Sequence, residues 1–256
     1  MSPILEQTAH RPYPLPNGRL IMTQRWNDLL FAHWPVAAEL VQRNLPAGLE
    51  VETFDGSAWL GVVPFWMDRV RHHAPLPSGL HLSFEVPTAS RFPELNLRTY
   101  VRSRKTGKPG VFFHALECAS PLAVLGARVL FHLPYFPARM DYRWQGDSMA
   151  YRSRRLLTRQ PVEVALDYRP AGPVAEPAAP GSLAYFLTER YCLYTPFAGR
   201  LLRGEIHHAP WPLQPAEANF RLNRLPGAHG YSLPPVAPVL HFAKALEVCI
   251  WGLRQD

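Results

Sequence analysis

The chain has 256 residues, 47% of them hydrophobic and 12% aromatic, which excludes a disordered segment and supplies enough apolar side chain for a large core. Its net charge of +7 is almost all arginine, since lysine occurs only at 105, 108 and 244, and only Tyr151-Arg-Ser-Arg-Arg155 approaches a cluster, so a nucleic-acid partner is not expected. Cys118, Cys192 and Cys249 are odd in number and lack CxxC spacing, which excludes a disulfide framework and a thiolate zinc site.

The first sixteen residues carry four prolines, so 1–19 reads as an irregular segment ahead of one domain spanning 20–256. There is no basic start followed by an apolar run, and no stretch near the roughly 18 apolar residues of a membrane span; a soluble cytoplasmic protein is expected. Trp26 to Trp34 reads as strand, and Pro35 opens a helix over 36–44 that Pro46 ends. Residues 49–54 and 57–65 flank Asp55-Gly56, a dipeptide suited to a tight hairpin turn.

The segment Glu94-Leu-Asn-Leu-Arg-Thr-Tyr-Val101 is the most informative. Its alternation puts Glu94, Asn96, Arg98 and Tyr100 on one face of a strand, and Leu95, Leu97 and Val101 on the other. A carboxylate, an amide, a guanidinium and a phenol in register suit the lining of a small-molecule cavity; the alternative is an edge strand with a salt-bridged outer face. Val111 to Glu117 should pair with it antiparallel. If paired numbers sum to 212, His114 sits beside Arg98; if they sum to 213, Glu117 sits beside Asn96. Both registers stay open.

Ser120-Pro121 caps a helix over 122–130 that carries Arg128 toward the stretch Phe131 to Tyr135. Strands at 139–144 and 149–155 turn at 145–148, and 162–168 adds another. Residues 169–181 form a proline-alanine loop, followed by a helix over 182–190, a hairpin-like region through 206, proline-rich loops, and an apolar strand over 239–250.

Several stretches together resemble the DUF2071, or YqjF-like, family of uncharacterised bacterial proteins. They are Trp26 with Phe31-Ala-His-Trp-Pro35, Trp59-Leu-Gly-Val-Val-Pro-Phe65, the 94–101 segment, Gly110-Val-Phe-Phe, Ala127-Arg128, Leu133-Pro-Tyr135 and Glu189-Arg-Tyr191. The family is similar, more remotely, to acetoacetate decarboxylase. That resemblance implies a mainly β (α+β) fold: a curved, largely antiparallel sheet closing into a cone or barrel around a small-molecule pocket, with a few short helices. It also implies that Glu94 matches the pocket carboxylate, and that Tyr135 and Phe136 stand where the decarboxylases carry a pair of Schiff-base lysines. An aromatic pair cannot form an iminium, so that chemistry is not expected unless Lys244, the interior candidate, reaches the pocket.

Glu94, Arg98 and Tyr135 are therefore the candidate catalytic residues, and Asn96, Tyr100, His114 and Arg128 the candidate ligand-binding ones. A carboxylate beside Arg98 would stay ionised, whereas one desolvated by Phe112 or Phe113 would have a raised pKa and could donate a proton. The adjacent pairs His72-His73 and His207-His208 would point to opposite faces of a strand, no HExxH occurs, and GxSxG and P-loop patterns are absent, so no metal or cofactor is expected. Two functions stay open: an enzyme acting on a small carbonyl or carboxylate compound without a Schiff base, and a non-catalytic binder of such a compound.

Overall fold

The computed structural model describes residues 3–75 and 81–256, so Met1 and Ser2 of the expected irregular segment lie outside the described residues. After a 3-10 turn over Pro3–Glu6 come strands β1 (Leu20–Val36), β2 (Leu49–Val51), β3 (Ala58–Pro75), β4 (His81–Glu85), β5 (Phe92–Ser103) and β6 (Pro109–Cys118). Strands β7 (Tyr135–Gln145), β8 (Ser148–Arg155), β9 (Glu163–Pro170), β10 (Cys192–Phe197) and β11 (Arg200–His207) follow. The last are β12 (Leu213–Asn223), β13 (Val239–Trp251) and β14 (Arg254–Gln255). Between them lie short helices α1 (Ala38–Gln42), α2 (Pro121–Leu130), α3 (Leu183–Thr188) and α4 (Leu225–Ala228). None of these is long and apolar enough to cross a membrane.

Strand pairing runs β5-β6-β7-β8-β9-β12-β13-β1-β3 and back to β5, a closed nine-stranded barrel. Neighbours are antiparallel except where β6 meets β7 and β10. Strands β10 and β11 leave β6 and return to β13, closing a second, smaller ring that shares the wall β13-β1-β3-β5-β6. A wall between two interiors must be apolar on both faces, which explains unbroken runs such as Leu29-Leu-Phe-Ala32. On one face Leu30, Leu60, Val62, Leu95 and Leu97 pack with Tyr151, Leu166, Tyr168 and Phe242 in the barrel core. On the other, Phe31, Val63, Phe65 and Leu116 pack with Phe131, Leu133 and Trp211. Each leucine so buried stabilises the fold by about 1.5–3 kcal/mol.

Local signals hold where the chain decides locally. Ser120 Oγ accepts from the Ala123 amide at 3.3 Å, and Ser182 Oγ from the Tyr185 amide at 3.2 Å, fixing the starts of α2 and α3. Long-range pairing overrides the rest. Asp55 and Gly56 do turn with positive φ, but Leu49–Val51 pairs with β5 and not with β3, because both edges of β3 are already taken by β1 and β5. Pro35 does not open α1; it stays in β1, beyond the last residue of that strand that β13 pairs, where a missing N–H costs no ladder bond. Strand β12 occupies a stretch that reads as proline-rich loop.

Candidate functional site

Strand β5 carries the polar row between two partners. On its β3 side Glu94 faces Phe65, Asn96 faces Val63 and Arg98 faces Gly61. A Cβ at Gly61 would lie 2.9 Å from the His33 ring, so this position needs glycine. On the β6 side Glu94 faces Cys118 and Asn96 faces Leu116, and then the ladder slips: Arg98 faces Phe113, leaving His114 as the extra residue of a bulge. Paired numbers thus sum to 212 from Glu94 to Leu97 and to 211 from Arg98 onward, so the first of the two registers holds only up to the bulge and His114 does not come beside Arg98. The bulge turns His114 away from the polar row, and its Nε2 lies 3.0 Å from the Tyr231 hydroxyl. Glu117 also leaves the row and pairs with Arg155 at 2.7 Å.

A cavity of about 420 Å³ lies against this row, inside the smaller ring. Glu94, Asn96 and Arg98 from β5 and Tyr135 from β7 line it, within a wall that is otherwise mostly apolar. Glu94 is buried, and desolvation raises its carboxyl to about 7 against the opposing pull of Tyr135 and Asn96. The Tyr135 hydroxyl donates to Glu94 Oε2 at 2.7 Å; burial, reinforced by the Glu94 charge, pushes the phenol far above its ordinary value, so it stays a donor.

Arg98 is not the partner of Glu94. Its Nη2 donates to the Leu187 carbonyl at 3.0 Å and to the Tyr100 hydroxyl at 3.2 Å. It forms no ion pair among the described residues, although only 8% of it is exposed, and its Nε has no hydrogen-bond partner. Tyr100 sits behind Arg98, outside the cavity lining. Its hydroxyl donates to the Leu187 carbonyl at 2.7 Å and lies 2.6 Å from His33 Nε2. Burial, with Arg98 nearby, holds His33 well below its ordinary pKa, so the ring is neutral; donation from Nε2 leaves Nδ1 without a partner.

Arg128, at the exposed end of α2, is also outside the lining; its Nε donates to the Tyr135 carbonyl at 2.6 Å and so holds the backbone of that residue. Thr188, Arg190, His208 and Trp211 line the cavity and were not expected there. Arg190 falls within a stretch noted for resemblance, but Trp211 sits between prolines and gives no periodic signal. Asn96 Oδ1, Arg98 Nε and Trp211 Nε1 are buried polar atoms of the lining that have no partner.

No lysine lines this cavity. Lys244 Nζ sits on Asp28 at 2.6 Å with its side chain 67% exposed, Lys105 Nζ on the Asp256 carbonyl at 2.6 Å, and Lys108 Nζ on Glu205 at 3.2 Å. Phe136 packs on the barrel core, with the Arg155 guanidinium 3.7 Å from its ring centre. The site can thus offer a proton from a carboxyl poised near neutrality and a cation without a counter-ion, but no amine.

Residues 23–247 match the DUF2071 family, described as an uncharacterized conserved protein. The chain is 43% identical over 253 residues to uncharacterized protein YqjF of Bacillus subtilis strain 168, covering 98% of each. Among solved structures it is similar to the enduracididine biosynthesis enzyme MppR complexed with pyruvate, with a TM-score of 0.60 and 14% identity over 95% of this chain and 93% of that one. An acetoacetate decarboxylase from Legionella pneumophila subsp. pneumophila gives a TM-score of 0.58 at 12% identity, covering 100% and 96%. At such identities the likeness is one of fold.

Proposed function

This chain belongs to the DUF2071 family, and from that premise we propose that it binds a small carboxylate-bearing carbonyl compound at Arg98 and moves a proton on it through Glu94, without a Schiff base. The observation that carries this reading is the Arg98 guanidinium, buried with no carboxylate beside it and with Nε unpartnered. A buried charge left unpaired costs several kcal/mol, and an anionic ligand would supply the missing partner. MppR, of the same fold, has been solved with pyruvate, an anion of this kind.

The roles follow from position. Arg98 holds the ligand carboxylate, and Asn96 stands beside Glu94 in the same row. Glu94, with its carboxyl near 7, takes a proton from the carbon beside the carbonyl when ionised and returns one when neutral. Tyr135 fixes the carboxyl that does so. The test is a thermal-shift screen of keto acids against neutral ketones, followed by NMR of deuterium exchange at the carbon next to the carbonyl. Keto acids should raise the unfolding midpoint of wild type but not of Arg98→Ala, and Glu94→Gln should bind them yet stop the exchange. Binding without exchange in wild type would leave a non-catalytic binder, and no binding would reject the pocket role.

A further inference from the structure

The occupant of this cavity needs more than a charged head. The charged groups of the Glu94 row sit at one end: along β3 the cavity follows Val63 opposite Asn96, Phe65 opposite Glu94 and Met67 opposite Phe92, then continues past Val70 among mostly apolar side chains, with Gln24 and His72 its polar residues at the far end. At ~3.3 Å per strand residue, the regular part of that lining from Val63 to Met67 extends for roughly 13 Å before the irregularity at Arg69. A ligand the size of pyruvate fills only the stretch beside Arg98 and Glu94 and leaves the long apolar remainder empty, which is an unfavourable way to use a formed cavity.

The mouth is apolar too. Leu122, Leu130 and Phe84 both line the cavity and are exposed to solvent, by 52%, 64% and 41%, so they mark where it opens between α2 and β4. Helix α2 adds Leu125 and Val129 to its outer side, 61% and 59% exposed, where a surface helix ordinarily presents polar residues. Small and large apolar groups thus meet a ligand from the entrance to the far end. Ala123 shows that α2 faces inward as well, since it lines the cavity and packs on the cluster of Phe65, Leu116 and Phe131.

Resting on the pocket reading above, we propose that the ligand is an amphiphilic carboxylate: a head held at Arg98 and an extended hydrocarbon tail lying along β3 toward α2 and β4. The class is a medium-chain acyl or keto acid, and short acids such as pyruvate or acetoacetate are its truncated members.

Calorimetry at neutral pH with butanoate, hexanoate, octanoate and decanoate tests this, alongside the matching uncharged alcohols. Each added methylene should tighten binding about fourfold until the cavity is full. Ala123→Phe, which fills space at the α2 wall, should end that gain at a shorter chain while leaving butanoate unchanged; Arg98→Ala should weaken every acid by a similar factor and no alcohol. Affinity that is flat or falls with chain length in wild type overturns the tail and leaves the pocket reading standing. Binding of no acid at any length overturns both.

Discussion

The Tyr135 hydroxyl donates to Glu94 Oε2 at 2.7 Å, joining two side chains that are 41 positions apart in the chain. Strand β7 adds in parallel to β6, with Tyr135 opposite Leu116, so the phenol comes to stand over the face on which β5 presents Glu94. The bond lowers the carboxyl while desolvation raises it more, and the balance is a value of about 7.

Glu94 should make stability depend on pH. Its folded value of about 7 lies above the ordinary 4.5, so between these values the unfolded chain gives up the proton first. Stability attributable to this group is complete below pH 4.5 and is lost as pH rises through 7, by about 3 kcal/mol in total. Urea denaturation of wild type and Glu94→Gln across this range should show the difference between them shifting in favour of the variant as pH rises; a constant difference rejects the raised carboxyl. Tyr135→Phe removes the downward pull, so the carboxyl should titrate above 7 by carbon NMR.

Arg98→Ala should abolish stabilisation by anionic ligands at modest cost to the apo protein. The two hydrogen bonds it donates are offset by the desolvation of a cation with no counter-ion, so a net loss of no more than about 1–2 kcal/mol is expected. A loss of 3–5 kcal/mol with an unaltered ligand response would mean that the charge is structural.

Arg155→Ala should behave in the opposite way. Arg155 and Glu117 form a pair at 2.7 Å with side chains 9% and 2% exposed, so removing the cation strands a desolvated carboxylate and should cost about 3–5 kcal/mol. The pair lies on the barrel side of the wall, so the shift produced by ligands should persist, measured at a temperature where the variant is folded.

Borohydride added with acetoacetate should leave the protein mass unchanged. Tyr135 lines the cavity, Phe136 packs behind it, and all three lysines are engaged elsewhere. A reduced adduct on any lysine, found by peptide mass spectrometry, would restore amine chemistry.

The β-rich character of the chain, the polar face of β5, the starts of α2 and α3, and a 135–136 turn without lysine are all legible in the amino-acid order. These are local matters: alternation sorts side chains by face, a serine caps the turn next to it, and an aromatic cannot act as an amine wherever it lies. Which segments meet is settled in the folded chain. The bulge at His114 lets Arg98 face Phe113, a choice that alternation cannot encode because one extra residue reverses every face beyond it. Leu49–Val51 went to β5 because the edges of β3 were occupied, and β12 formed inside a proline-rich stretch because β9 and β13 offered it edges. Glu94 and Arg98, two residues of one row, took different partners, since Tyr135 and Leu187 arrive from distant segments. Strand pairing over such separations is settled by competition for edges and by burial across the whole sheet, and no local window of sequence contains either.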